Sequence, residues 1–175
     1  MRRTRGDRMR SVLIEVVAGD ITQAQAEVVV TAANRHLAGG GGVDGAIHRA
    51  AGPALLEALR PLTPCPVGGA VLTPAFNLPA PIRYVVHAVG PRYGVDEPAD
   101  EFLRGAYLAA LRRCDEIEAR SVAFPSISTG AYGFPLGRAC ALSAAALRGA
   151  ETQVERCLLV AFDDKTNRHW QAALG

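Results

Sequence analysis

Residues 26–34 read AEVVVTAAN, with apolar side chains at consecutive positions rather than at alternate ones. A strand of this kind has no face to offer water, so it belongs inside a sheet covered on both sides. The rest of the chain supplies more strands and the covers. Residues 11–20 (SVLIEVVAGD), 68–76 (GGAVLTPAF), 82–91 (IRYVVHAVGP), 121–124 (SVAF) and 156–164 (RCLLVAFDD) read as further strands. Between them lie helical patterns. VDGAIHRAAG (43–52) is a helix closed by Gly52, with Pro53 opening another. ADEFLRGAYLAALRRCDEIEA (99–119) places Leu103, Tyr107, Leu108 and Leu111 on one side of a long amphipathic helix. Ala-rich LGRACALSAAALRGA (136–150) and KTNRHWQAAL (165–174) complete the set. Both-face apolar strands alternating with helices predict an α/β/α sandwich of three layers, whose ligands bind outside the carboxyl ends of the strands.

With 175 residues, 49% of them hydrophobic and 21% charged, the chain suits one compact domain over 11–175. Its apolar runs are far shorter than the roughly 20 residues of a membrane span. Residues 1–10 hold Arg2, Arg3, Arg5, Arg8 and Arg10 with no apolar stretch behind them. This segment reads as a flexible, solvated tail to which no function is assigned, and not as an export signal. Cys65, Cys114, Cys140 and Cys157 are widely spaced and form no zinc-type pair, which suits free thiols in a reducing cytoplasm.

Three segments at strand ends could carry chemistry. Asp20 follows the first strand, where a carboxylate can accept from an exocyclic amine; a turn, or a helix cap for ITQAQAE, needs the same residue. Gly39 to Gly42 expose bare backbone that can cradle a diphosphate or simply form a flexible loop. Asp44, after these glycines, reads as the start of a helix that keeps its carboxylate ionised, and His48 lies one turn further along the same face. SISTGAYG (126–133) is a second cradle, with Ser128 and Thr129 hydroxyls and a bare Gly130. Two such loops on one sheet can face one diphosphate from opposite sides. His87 reads as buried structure, and His36 and His169 carry no signal. No P-loop, dinucleotide fingerprint or nucleophile elbow is present, which removes most support for ATPase, NAD-dehydrogenase and covalent acyl-transfer chemistry.

In combination, GDIT (19–22), AANRHLAGGGGVDGAIHRAAGP (32–53), LPAPIRYVVHAVGP (78–91) and AFPSISTGAYGFP (123–135) resemble the motifs of the macrodomain family, specifically its MacroD-type branch of ADP-ribose-binding hydrolases. The resemblance implies a mixed, largely parallel central sheet. It gives Asp20 the adenine amino group, Ile21 a backbone contact to the same ring, and Phe162 a stacking position on it. It puts Asn34 on the distal ribose and has Asp44 orient or activate the attacking water, so that Asn34 and Asp44 are the catalytic pair. Gly41, Gly42 and Val43 then line one side of the diphosphate. Ser128, Thr129, Gly130, Ala131 and Tyr132 line the other, and Tyr132 also packs against the distal ribose. The implied activity is hydrolysis of the ester between ADP-ribose and protein Asp/Glu side chains, with deacetylation of O-acetyl-ADP-ribose. A non-catalytic reader of ADP-ribosylated proteins and an ADP-ribose 1''-phosphate phosphatase are the alternatives. No cofactor and no metal is required by this chemistry, nor is nucleic acid. The implied state is a cytoplasmic monomer. One departure stands inside the best-matching motif: position 31 is threonine where the family usually has asparagine.

Overall fold

The computed structural model describes residues 11–175, so the arginine-rich stretch 1–10 and the expectation attached to it lie outside the described residues. Six strands are present: β1 (Leu13–Ala18), β2 (Val28–Ala33), β3 (Ala70–Pro74), β4 (Tyr84–Val89), β5 (Ser121–Phe124) and β6 (Arg156–Ala161). They form one sheet in the order β1-β6-β5-β2-β4-β3. Every neighbouring pair is parallel except β3 with β4. The sheet is therefore mixed and largely parallel, as the resemblance implies. Its antiparallel member is an edge strand.

Both faces are covered because the central strands are apolar on both. Val29 of β2, Val85 of β4, Ala123 of β5, and Leu158 and Val160 of β6 pack with Ile47, Ala51 and Leu55 of helices α1 (Gly42–Ala51) and α2 (Ala54–Leu59). The alternate residues Val28, Val30, Val86, Val122, Phe124 and Leu159 face the other way. They meet α3 (Ala99–Glu116), α4 (Leu136–Arg148) and α5 (Asp164–Leu174). Leu103, Tyr107 and Leu111 of α3 are buried, as the helical spacing requires, with Leu108 partly so. Trp170 of α5 is fully buried and donates its indole N–H to Ser143 Oγ on α4 at 3.1 Å, so the largest side chain of this layer leaves no polar atom unpaired.

Five parallel strands present their carboxyl ends along one edge of the sheet. In spatial order these ends carry Asp20, Phe162, the loop 125–135, Asn34 and Gly90. The candidate residues from distant parts of the sequence thus share one edge.

Candidate functional site

At the β1 end, Asp20 accepts from the backbone N–H of Thr22 at 2.9 Å and from its hydroxyl at 2.8 Å. It thereby caps a single 3-10 turn, Ile21–Gln23, in place of a longer helix over ITQAQAE. Both bonds end on Oδ1, and the residue is exposed, so the second carboxylate oxygen is available to a ligand. Ile21 is buried beneath it. Phe162, just past β6 on the neighbouring strand, is 77% exposed. An aromatic ring left in water beside a carboxylate offers a planar heterocycle both stacking and an acceptor.

Asn34 follows β2 directly. Its side-chain amide donates to the Gly39 carbonyl at 2.9 Å, and its side-chain oxygen accepts from Ala38 N–H at 3.3 Å. Asn34 therefore shapes the loop that leads to the glycines. Gly39 and Gly42 take φ of +79° and +57°, a conformation that side chains disfavour, which explains two of the four glycines by backbone geometry alone. Gly41 caps α1, and Gly41 and Gly42 are exposed.

Asp44 is not at the cap itself. It sits inside the first turn of α1, and it is only 5% exposed. Its Oδ1 accepts from the Thr31 hydroxyl at 2.9 Å and lies 3.5 Å from His48 Nε2. Oδ2 points toward Gly40 and makes no hydrogen bond to the described residues. The helix start is not the only influence on this carboxylate. Burial pushes the Asp44 pKa above its ordinary value, while the Thr31 hydrogen bond and the His48 charge pull the other way. The result is a carboxylate more basic than one in water.

The opposite wall is the loop after β5. Tyr107 of α3 anchors its base: the phenol donates to the Pro125 carbonyl at 3.0 Å and accepts from Ile127 N–H at 3.1 Å. Thr129 donates to the Ser126 carbonyl, and Phe134 N–H to the Ser128 carbonyl, both at 2.9 Å. Tyr93 N–H donates to the Tyr132 carbonyl at 2.8 Å. Ser128 is buried with φ of +69°, and its hydroxyl has no partner. The β4 end approaches so closely that a Cβ at Gly90 would lie 2.2 Å from Ser128 Oγ, which only glycine avoids. Gly130 and Ala131 are exposed at the tip, with nothing within 4 Å of where a Gly130 Cβ would be.

Tyr107 and Gly90 were not legible as site-shaping residues in the sequence, because each acts through a neighbour far along the chain. In the sequence Thr31 stands out only as a departure from the family pattern. Its part in the site follows from register: β2 pairs with β4 with Thr31 opposite His87, which turns the Thr31 side chain toward the face that α1 covers. Thr31→Val is expected to leave the Asp44 carboxylate buried without its only hydroxyl donor. A cost of about 1–3 kcal/mol in unfolding free energy is expected, whereas Thr31→Ser should keep most of the stability. Chemical denaturation of the two variants checks this.

The Macro domain family model matches residues 30–143, which takes in the glycine loop, α1 and the loop after β5. The chain belongs to the Macro domain family. A Macro domain-containing protein of Lactiplantibacillus plantarum is 47% identical over 166 residues, covering 92% of this chain and 95% of that one. A protein of Escherichia fergusonii named O-acetyl-ADP-ribose deacetylase is 44% identical over 169 residues, covering 92% of this chain and 94% of its own. Among solved structures, a mutant of the Oceanobacillus iheyensis macrodomain with ADPR (ADP-ribose) superposes with a TM-score of 0.85 at 36% identity. It covers 92% of this chain and 91% of that chain. In this macrodomain the glycine loop and the loop after β5 stand at the ends of neighbouring strands β2 and β5, with Asp44 under the first.

Proposed function

We propose that this macrodomain, spanning 11–175, binds ADP-ribose and hydrolyses the ester joining its distal ribose to protein Asp or Glu side chains. The same site would release acetate from O-acetyl-ADP-ribose. The observation that carries the reading is the Asp44 carboxylate: buried, basic for its kind, tied down through Oδ1, with Oδ2 left toward the glycine loop. The names of the Escherichia fergusonii relative and of the Oceanobacillus iheyensis complex support the substrate class.

The strand order gives the ligand a direction. Adenine would lie over Phe162 with its amino group on Asp20 and the Ile21 backbone at its edge. The diphosphate would pass between Gly41, Gly42 and Val43 on one side and Ser128, Thr129, Gly130 and Ala131 on the other. The unpartnered Ser128 hydroxyl is one donor suited to it. The distal ribose would then reach Asn34 and Tyr132. Binding of the remote adenine and diphosphate would hold the ester where a water can attack, converting a bimolecular step into a positioned one. Asp44 Oδ2 would accept a proton from that water as its oxygen bonds to the reacting carbon. The departing carboxylate is stable as an anion and needs no metal to leave.

No helix among the described residues is long and apolar enough to cross a membrane, and all four cysteines are free and buried. A monomer working in the cytoplasm on ADP-ribosylated proteins, without a cofactor or nucleic acid, fits this reading.

Asp20→Ala should weaken ADP-ribose binding by about 1.5–3 kcal/mol through loss of a charge-assisted hydrogen bond. Calorimetry checks it, with Asp20→Asn as the control that keeps the cap acceptor for Thr22. Unchanged ADP-ribose affinity in Asp20→Ala would remove the adenine assignment. The activity itself is tested by incubating the wild-type protein with O-acetyl-ADP-ribose and following acetate release by mass spectrometry. Tight binding without release would favour the non-catalytic reader, and release of phosphate from ADP-ribose 1''-phosphate instead would favour the phosphatase.

A further inference from the structure

Beneath α1 lies a group of side chains that the proposed reaction uses only in part. Asp44 and His48 come from α1, and His87 from β4, directly opposite Thr31 on β2. His87 is fully buried. Each of the three offers a carboxylate oxygen or a ring nitrogen, and these atoms lie within 4.8 Å of one another.

The hydrogen bonds fix what each group presents. Thr73 Oγ1 donates its one proton to the Pro74 carbonyl at 3.1 Å, and it lies 2.9 Å from His87 Nε2. With the hydroxyl proton on the Pro74 carbonyl, His87 is the donor in that second bond, and we assign its proton to Nε2, which leaves a lone pair on Nδ1. That Nδ1 is buried and has no partner. In that tautomer a buried lone pair stands beside a carboxylate that has His48 Nε2 at 3.5 Å. An unpaired acceptor next to a carboxylate lacks a cation, not another acceptor.

We propose that Asp44, His48 and His87 form a binding site for one divalent transition-metal ion of the Zn2+ type. Two imidazoles and a carboxylate are ligands that such ions select, with a fourth position left for water. The separation of Asp44 Oδ1 and His48 Nε2, 3.5 Å, is close to the roughly 3.4 Å between two ligands of a tetrahedral ion with bonds of about 2.1 Å. The outer shell is also in place. In the assigned tautomer His87 gives its other ring N–H to the Thr73 hydroxyl, and Asp44 is oriented by the Thr31 hydroxyl. This is how ligating histidines and carboxylates are usually held. His48, with 16% of its side chain exposed, is the most accessible of the three and marks the side from which an ion enters. A bound ion on Oδ1 draws charge from the whole carboxylate and so makes Oδ2 a poorer proton acceptor. Saturating Zn2+ would then inhibit hydrolysis. That consequence rests on the function proposed above; the binding does not.

The test is titration of chelator-treated protein with Co2+, read by the visible absorption of four-coordinate Co2+, and with Zn2+ by calorimetry. One ion per chain is expected. His48→Gln and His87→Gln should each weaken binding at least tenfold, while His36→Gln and His169→Gln should leave it unchanged. Gln at 87 keeps an N–H for Thr73; if that variant does not give the circular dichroism of the folded protein, His48→Gln decides alone. Absence of the Co2+ band, or unweakened binding in His48→Gln, overturns the site whether or not the protein hydrolyses ADP-ribose esters.

Discussion

Asp44→Ala is expected to lower single-turnover release from an ADP-ribosyl ester by about 10² or more, in the range of general-base contributions, while ADP-ribose affinity stays within a few-fold. The reason lies in where the carboxylate is used. Oδ1 is occupied by Thr31 and His48, and Oδ2 makes no hydrogen bond to the described residues, so little ground-state binding passes through this group. A proton accepted in the transition state is then lost without a matching loss in binding, which appears in kcat rather than in affinity. Asp44→Asn separates charge from shape, because the amide can still accept from Thr31. It should be nearly as slow as alanine and more stable. Release at the wild-type rate in both variants would remove Asp44 from the chemistry and leave Asn34→Ala as the next substitution to measure.

Gly130→Glu should abolish measurable ADP-ribose binding, a loss of at least about 100-fold, without unfolding the protein. A Cβ at position 130 meets nothing within 4 Å, and the residue is exposed, so the fold accommodates a side chain there. A glutamate at the tip of the loop after β5 would bring bulk and like charge to the proposed diphosphate path. Two like charges about 4 Å apart repel by roughly 1 kcal/mol in water and about 4 kcal/mol near a protein surface. Calorimetry with ADP-ribose, alongside a thermal melt, checks both halves of the expectation. Wild-type affinity in the folded variant would take this loop out of the ligand path. Gly130→Ala, with the same free space and no charge, should stay close to wild type.

The layers of the fold were legible because their signals are local. A run such as VVV at 28–30 cannot be half-exposed, and the spacing of Leu103, Tyr107 and Leu111 marks a single helix face, so strands and covers follow without tertiary information. The loops of the candidate site were legible for the same reason, since consecutive glycines and SISTG are contiguous in sequence. What sequence did not carry is how these loops are braced. Tyr107 holds the loop after β5 from α3, and Gly90 makes room for Ser128 from β4. Neither pairing has a sequence spacing to betray it. Asp44 shows the same limit in its electrostatics. Its place after the glycines suggests a helix cap in water, but inside the first turn, under the loop and against Thr31, burial outweighs the Thr31 hydrogen bond and the His48 charge and raises its pKa. The Thr31 departure becomes intelligible only with β2 in register beside β4, where a hydroxyl is long enough to reach Asp44.

The central claim, that this macrodomain cleaves the ester between ADP-ribose and an acidic side chain, is tested most directly with a glutamate-ADP-ribosylated protein and excess enzyme in chelator-containing buffer. Free ADP-ribose is followed by mass spectrometry. The account predicts complete release in a single exponential by the wild-type protein, slowed by about 10² or more in Asp44→Ala, with unmodified glutamate restored on the target. Saturable binding of the modified protein with no ADP-ribose released would contradict it.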